Sequence, residues 1–321
     1  MTRLILACAM LLALPAWAQT RVFTDHLERT VEIPVDPQRV VSLGSKNVTV
    51  PMIELGVMPV GSQGTMPESG EPTIRASGIA TGVDFHNSDI VYIGDFPVDL
   101  ELIASLAPDL IVWPDWQDEV SLDQLSLIAP TVAYETDATL HDAQAFFAEL
   151  FGRHERLAAN RARYDAQIAQ LSGLIPAGTT YSVLHGREGE FWTCKPYGNL
   201  ELILQDAGLD PSSIIAEAES GACPRFSAER LQDFDADWIF TTYRTDRGET
   251  PQDALAGLED VFPGFCNALT ACREGRHIVL PREELTTPSY DAVGAAIFAL
   301  TTLLSNPYAQ PDMGSAGGTR P

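Results

Sequence analysis

The chain has 321 residues, with 44 acidic against 20 basic side chains and a formal charge of −24. So acidic a surface repels phosphate backbones and anionic lipid, which argues against nucleic acid or polybasic membrane docking. With 45% apolar residues the chain is globular rather than disordered, and its length suits two domains.

Arg3 is followed by an apolar run over 4–14, then Pro15 and Ala16-Trp17-Ala18. This is the pattern of a secretory signal cleaved after Ala18, and the run is too short to span ~30 Å of hydrocarbon. The expected compartment is the periplasm. Residues 21–33 alternate around a turn and predict a hairpin. Short apolar runs at 40–43, 57–61, 91–93, 110–113 and 131–134 predict buried strands, with helices at 99–106 and 122–128 between them. Strands alternating with helices predict a parallel α/β sheet. Over 142–172 the pattern becomes helical, opened by Thr139 and Asp142 as a capping box and closed by Gly173 and Pro176. At 1.5 Å per residue this helix is ~45 Å long, more than one small domain needs. The α/β alternation then resumes, with strands at 180–185, 238–243 and 277–280 and helices at 199–207, 228–234 and 291–304. The expected fold is α/β: two Rossmann-like lobes joined by a single long backbone helix, with a ligand cleft between the lobes. The boundaries are a signal peptide at 1–18, an N-terminal lobe at 19–141, the linking helix at 142–173, a C-terminal lobe at 174–305 and a flexible tail at 306–321.

Cys194, Cys223, Cys266 and Cys272 remain after signal cleavage, an even count that reads as disulfides in an oxidising compartment. Three connectivities are open. The favoured one is Cys194–Cys223 with Cys266–Cys272, the second needing a turn because regular helix would hold those sulfurs apart. No P-loop, nucleophile elbow or H-E-x-x-H pair occurs, and the six histidines are scattered. Nothing points to catalysis, to a resident cofactor or to a bound metal. Aromatic and arginine residues instead collect at predicted strand ends, namely Trp113, Trp116, Arg187, Tyr243, Arg244, Arg247 and Tyr290. In open α/β sheets ligands bind outside the carboxyl ends of strands, so these residues are expected to face a cleft for a bulky ligand with some negative charge.

Several stretches carry a family resemblance: 24–34 (TDHLERTVEIP), 37–43 (PQRVVSL), 100–113 (LELIASLAPDLIVW), 226–231 (FSAERL), 235–240 (DADWIF) and 275–280 (GRHIVL). Together with the central helix they resemble the helical-backbone periplasmic binding proteins of ABC importers for ferric siderophores, haem and cobalamin. The resemblance implies lobes that move little against each other, a cargo passed to an inner-membrane ABC permease dimer, and a monomer. It implies a ligand contact for Trp116, with Trp113 as the neighbouring choice. It departs at Asp95, where ferrichrome-type members carry Arg, and at Glu28, where the first hairpin often carries Gly. The expected ligand is an iron(III)–siderophore complex held by arginines, which offer a planar fork to carboxylate or catecholate oxygens. Cobalamin or haem is the alternative. The resemblance also implies permease docking by one glutamate on each lobe, Glu119 and Glu229. Glu229 follows Ser227 at a helix start, where a carboxylate also suits the helix dipole.

Overall fold

The computed structural model describes residues 19–67, 70–117 and 120–305. The signal segment, the tail from 306 and Glu119 lie outside the described residues. A hairpin of β1 (Thr20–Thr24) and β2 (Thr30–Pro34) opens the chain, paired antiparallel from Thr20–Pro34 to Thr24–Thr30. Its turn places Glu28 at φ 57, the left-handed conformation that Gly would adopt more readily. Asp25 compensates by accepting the backbone N–H of Leu27 and Arg29 and both prongs of the Arg29 guanidinium.

Two parallel sheets follow. The first is ordered β5-β4-β3-β6-β7, from β3 (Val40–Ser42), β4 (Gly61–Ser62), β5 (Val91–Tyr92), β6 (Leu110–Pro114) and β7 (Thr131–Tyr134). The second is ordered β11-β8-β13-β14, from β8 (Thr180–Val183), β11 (Asp210–Pro211), β13 (Trp238–Tyr243) and β14 (His277–Pro281). A small antiparallel sheet, β12-β10-β9, covers the second lobe with β9 (His185–Arg187), β10 (Glu190–Trp192) and β12 (Arg225–Phe226). The sequence reading merged β9 into β8 because Leu184 and His185 continue the buried run. Central strands such as β6 and β13 are buried almost throughout, as expected of parallel strands covered on both faces.

The linking element is two helices rather than one. α2 (Leu140–Phe151) begins at the expected cap, with Thr139 Oγ1 accepting the Asp142 N–H, and ends at Gly152 with φ 66. α3 (His154–Ser172) then restarts after Arg153. At 1.5 Å per residue α3 alone runs ~28 Å. Leu140, Tyr164 and Leu171 join the core of the second lobe, while Phe146, Phe147 and Leu150 join that of the first, so the pair is rooted in both.

A buried carboxylate ties the lobes beside this link. Glu54, 2% exposed at the end of α1 (Val50–Glu54), accepts N–H bonds from Tyr290 (3.0 Å) and Asp291 (2.8 Å). These two amides open α6 (Tyr290–Leu304), the last helix of the second lobe. Gln144 of α2 donates to the same carboxylate at 2.7 Å and to the Pro288 carbonyl at 2.8 Å. Burial, and then the nearby charge of Asp291, push the Glu54 carboxyl up to about 7.

Both disulfides pair as favoured, Cys194–Cys223 and Cys266–Cys272. Leu269, in extended conformation between the short helices Phe265–Ala268 and Thr270–Arg273, supplies the turn that the second bridge needs.

Gly152 tests the break in the link. A Cβ there meets open space, so Gly152→Ala is charged only for the left-handed backbone, about 1 kcal/mol. Urea unfolding should show that loss with an unchanged slope.

Candidate ligand-binding cleft

Strand order reverses at β3 in the first sheet and at β8 in the second, and such reversals open a crevice at the carboxyl ends of strands. The loops leaving β3 and β7 on one lobe, and those following β10 and β14 on the other, enclose a cavity of ≈ 640 Å³. The first residues of α2 and of α4 (Gly198–Asp206) both line it.

The second lobe builds most of the wall. Tyr197 lines the cavity and is 3% exposed; its hydroxyl bonds Thr242 and its ring stacks 4.9 Å from His185. Trp192 also stacks against His185 at 4.2 Å, 6.4 Å from the Tyr197 ring. Burial pushes His185 down to about 3, so the ring is neutral. Its Nε2 accepts the Thr242 N–H at 3.2 Å, which leaves the proton on Nδ1. The Cys194–Cys223 bridge forms a second section of wall, where Lys195 N–H donates to the Ala222 carbonyl and Gly221 N–H to that of Lys195. Lys195 Nζ caps the Ala216 carbonyl at 2.7 Å.

Cations gather at the seam between the lobes. Arg282, the first residue of α5 (Arg282–Thr286), lines the cavity, and its Nε is buried without a hydrogen-bond partner. Lys46 donates to Thr286 Oγ1 at 2.7 Å across the seam. Arg75 of the first lobe grips Glu283 of the second through Nε (3.0 Å) and Nη2 (2.8 Å) and lies 3.2 Å from Asp246. Arg244 closes the group with two bonds to Asp246, and these cations hold the Asp246 carboxyl down to about 2 despite its burial. Four cations therefore cluster around Asp246 and Glu283, while Glu284 is buried next in sequence and Asp137 and Glu201 are among the residues lining the cavity.

The seven residues singled out from strand ends, Arg247 among them, are placed less centrally, and none lines the cavity. Trp116, 39% exposed, packs against Phe96 at 5.4 Å as an aromatic pair on the first lobe. Trp113 is half-buried, its indole donating to the Val120 carbonyl at 3.0 Å. Tyr243 is half-buried at the end of β13. Arg187, its side chain 64% exposed, pairs with Glu188 in the β9–β10 turn, and Arg244 is committed to Asp246. Tyr290 is closed to a ligand and corrects the expectation for it. It is 2% exposed, bonded to His141 Nδ1 at 2.9 Å and packed edge-on to Tyr164, because Glu54 pins its backbone at the lobe joint. Arg282 was legible by the same strand-end rule, since it directly follows β14. Lys46, in the π-helical segment Ser45–Thr49, and Arg75, in a turn, belong to the first lobe and meet their partners only through the fold. Among the described residues no group of three His, Cys, Asp or Glu could hold a metal ion, and no helix is long and apolar enough to cross a membrane.

Two α/β lobes thus face a cavity at their seam. The family described as "Periplasmic binding protein" matches residues 89–283, and the chain belongs to it. That family is one of substrate-binding proteins rather than enzymes, and membership places the chain outside the cytoplasm. A curated relative, the "Probable siderophore-binding lipoprotein YfiY" of Bacillus subtilis, is 26% identical over 248 residues, 72% of each chain. Among solved structures, the FhuD fold-family protein BSU3320 of Bacillus subtilis superimposes with a TM-score of 0.71 at 20% identity, covering 88% of this chain and 100% of that one. Staphylococcus aureus SirA, solved with staphyloferrin B, gives 0.68 at 22% identity over 89% and 98%. These likenesses show the shared fold, with a connecting helix between two lobes.

Burial in the seam pulls the Lys46 ammonium from the ordinary lysine value of 10.5 down to about 8, against the attraction of Glu283. The folded chain thus releases this proton near pH 8, whereas the unfolded chain holds it to about 10.4. The cost of burying the charge is present in full below pH 8 and is relieved between there and about 10.4. The chain has two lysines, so a lysine-ε carbon NMR titration should resolve two signals. One should move near pH 8 and vanish in Lys46→Arg.

Proposed function

We propose that the protein captures an anionic iron(III)–siderophore complex in the seam cavity and delivers it to an inner-membrane ABC permease. The observation that carries this reading is the Arg282 guanidinium, which lines the cavity with a buried, unpartnered Nε and no carboxylate within 4 Å among the described residues. An uncommitted Arg fork suits a carboxylate or catecholate face, and its bonds to charged oxygens are the strong ones. Lys46 and Lys195 flank it, and the Phe96–Trp116 pair offers an apolar surface on the first lobe for the organic part of the complex. The siderophore-binding description of YfiY and the staphyloferrin B bound to SirA support the same ligand class.

Two measurements test it. The visible spectrum of protein purified from iron-limited cells should carry a broad ferric charge-transfer band; a Soret band or a corrin spectrum instead would move the assignment to haem or cobalamin. Arg282→Gln should then weaken binding of the co-purified complex roughly tenfold or more, the worth of one charge-assisted bond of ~1.5–3 kcal/mol. Arg187→Ala, exposed and paired to Glu188, should bind as the wild type does.

Delivery calls for contacts outside the cleft, and the proposed ones are Glu119 and Glu229. Glu229 is exposed in the first turn of the 3-10 helix Ala228–Phe234. Exposed charges of this kind chiefly govern encounter and orientation. The pair Glu119→Ala, Glu229→Ala should leave ligand affinity intact and reduce uptake through the cognate importer. Normal transport at low protein concentration would remove these residues from the docking surface.

A further inference from the structure

Arg282 keeps an unpaired charge next to Glu283 in a chain with 44 acids, and the seam supplies a reason. Glu283 is 2% exposed, and its Oε2 accepts both the Nε and the Nη2 of Arg75. The same oxygen lies 4.0 Å from Lys46 Nζ. Asp246 is divided between Arg75 and Arg244. Arg75 therefore holds Glu283 through its Oε2 and shares Asp246 with Arg244, and it reaches Glu283 from the opposite lobe across 208 positions of sequence. Arg282 and Thr286, one turn apart on α5, line the cavity on either side of Glu283.

We propose that Arg75 is the positioning residue of the cleft: by gripping Glu283 and Asp246 across the seam it sets the spacing of the two lobes and leaves Arg282 as the uncommitted cation. Arg75 itself does not line the cavity and acts through the carboxylates it holds. Its planar fork matters, because one guanidinium spans two carboxylates that a point charge would serve one at a time. Only the last clause of the proposal, the use made of Arg282, rests on the siderophore reading; the lobe spacing does not.

The test is hydrogen exchange followed by mass spectrometry on the mature protein without ligand, so that no cargo is required. Arg75→Ala should raise exchange roughly tenfold in both 45–54 of the first lobe and 282–292 of the second, since breaking a largely buried ion pair frees both sides. Arg75→Lys, which keeps the charge and loses the fork, should fall between wild type and Arg75→Ala. Arg75→Met, which keeps the bulk and loses the charge, should exchange as Arg75→Ala does, whereas a merely space-filling role of Arg75 would leave it near the wild type. Exchange that rises only in 73–80, or Arg75→Met near the wild type, would overturn the proposal. Should Arg75→Ala fail to fold, Arg75→Lys and Arg75→Met decide it by the same segments. Unchanged affinity in Arg282→Gln with the seam effect intact would refute the ligand reading alone.

Discussion

Three N–H donors converge on the buried Glu54 carboxylate, two from the first turn of α6 and one from Gln144. The first amides of the last helix of the second lobe are thus satisfied by a side chain of the first lobe, which fixes where that helix docks. Burial and the charge of Asp291 oppose ionisation at that point, while the three donors and the guanidinium of Arg163, 3.9 Å away and paired to Asp291, favour it. The group is thus held between a strong solvation cost and strong hydrogen bonding, the situation in which losing one partner is expensive. Because α1, α2, α3 and α6 all touch this one residue or its immediate partners, lobe orientation is decided here more than by the linking helices alone.

The break at Gly152 fits that arrangement. A single straight rod of thirty residues would place its two ends by its own stiffness. Two helices meeting at a left-handed glycine place them by what each one packs against, and here α2 packs with the first lobe and α3 with the second. The joint at Glu54 and the ion lattice around Arg75 then act on the same relative placement from two positions. Neither relies on a flexible strand crossover, which is why a cavity of defined width can lie between lobes that share so little backbone.

Periodicity and capping made the architecture readable: the hairpin, the buried strands, the Thr139 cap and the restart of α/β alternation each follow from local pattern. The break in the link was marked by Gly152, yet a lone Gly inside a helical pattern is tolerated about as often as it terminates one, so the pattern ran through it. The β9–β10 hairpin was hidden because Leu184 and His185 are as buried as the strand before them. The strand-end rule does not select among the residues it gathers. Arg187 and Arg282 both follow strands, but the first lies in a hairpin turn beside Glu188 and the second at a cavity. Tyr290 follows the last strand at ten residues' distance, far enough for its side chain to fall on the joint instead of the cleft. Lys46 and Arg75 could not be selected at all, since their importance comes from partners more than two hundred residues away.

A protein of charge −24 that is read as binding an anion must solve its electrostatics at short range. At physiological ionic strength charges separated by more than about 8 Å are largely screened, so most of the acidic surface has little effect inside the cleft. What remains is the balance of groups within reach of the ligand, where Arg282 and Lys195 line the cavity together with Asp137 and Glu201. Exposed arginines contribute little to that balance, because each already shares its charge with a neighbouring acid in water, as Arg187 does with Glu188 and Arg225 with Glu188 and Glu190. A cation counts for the ligand only when it is withdrawn from water and left unpaired, and keeping it unpaired in so acidic a chain requires that the nearby carboxylates be occupied. Arg75 holds one oxygen of Glu283, with Lys46 4.0 Å from the same oxygen, and Arg75 and Arg244 share Asp246, so neither of these two carboxylates is paired with Arg282.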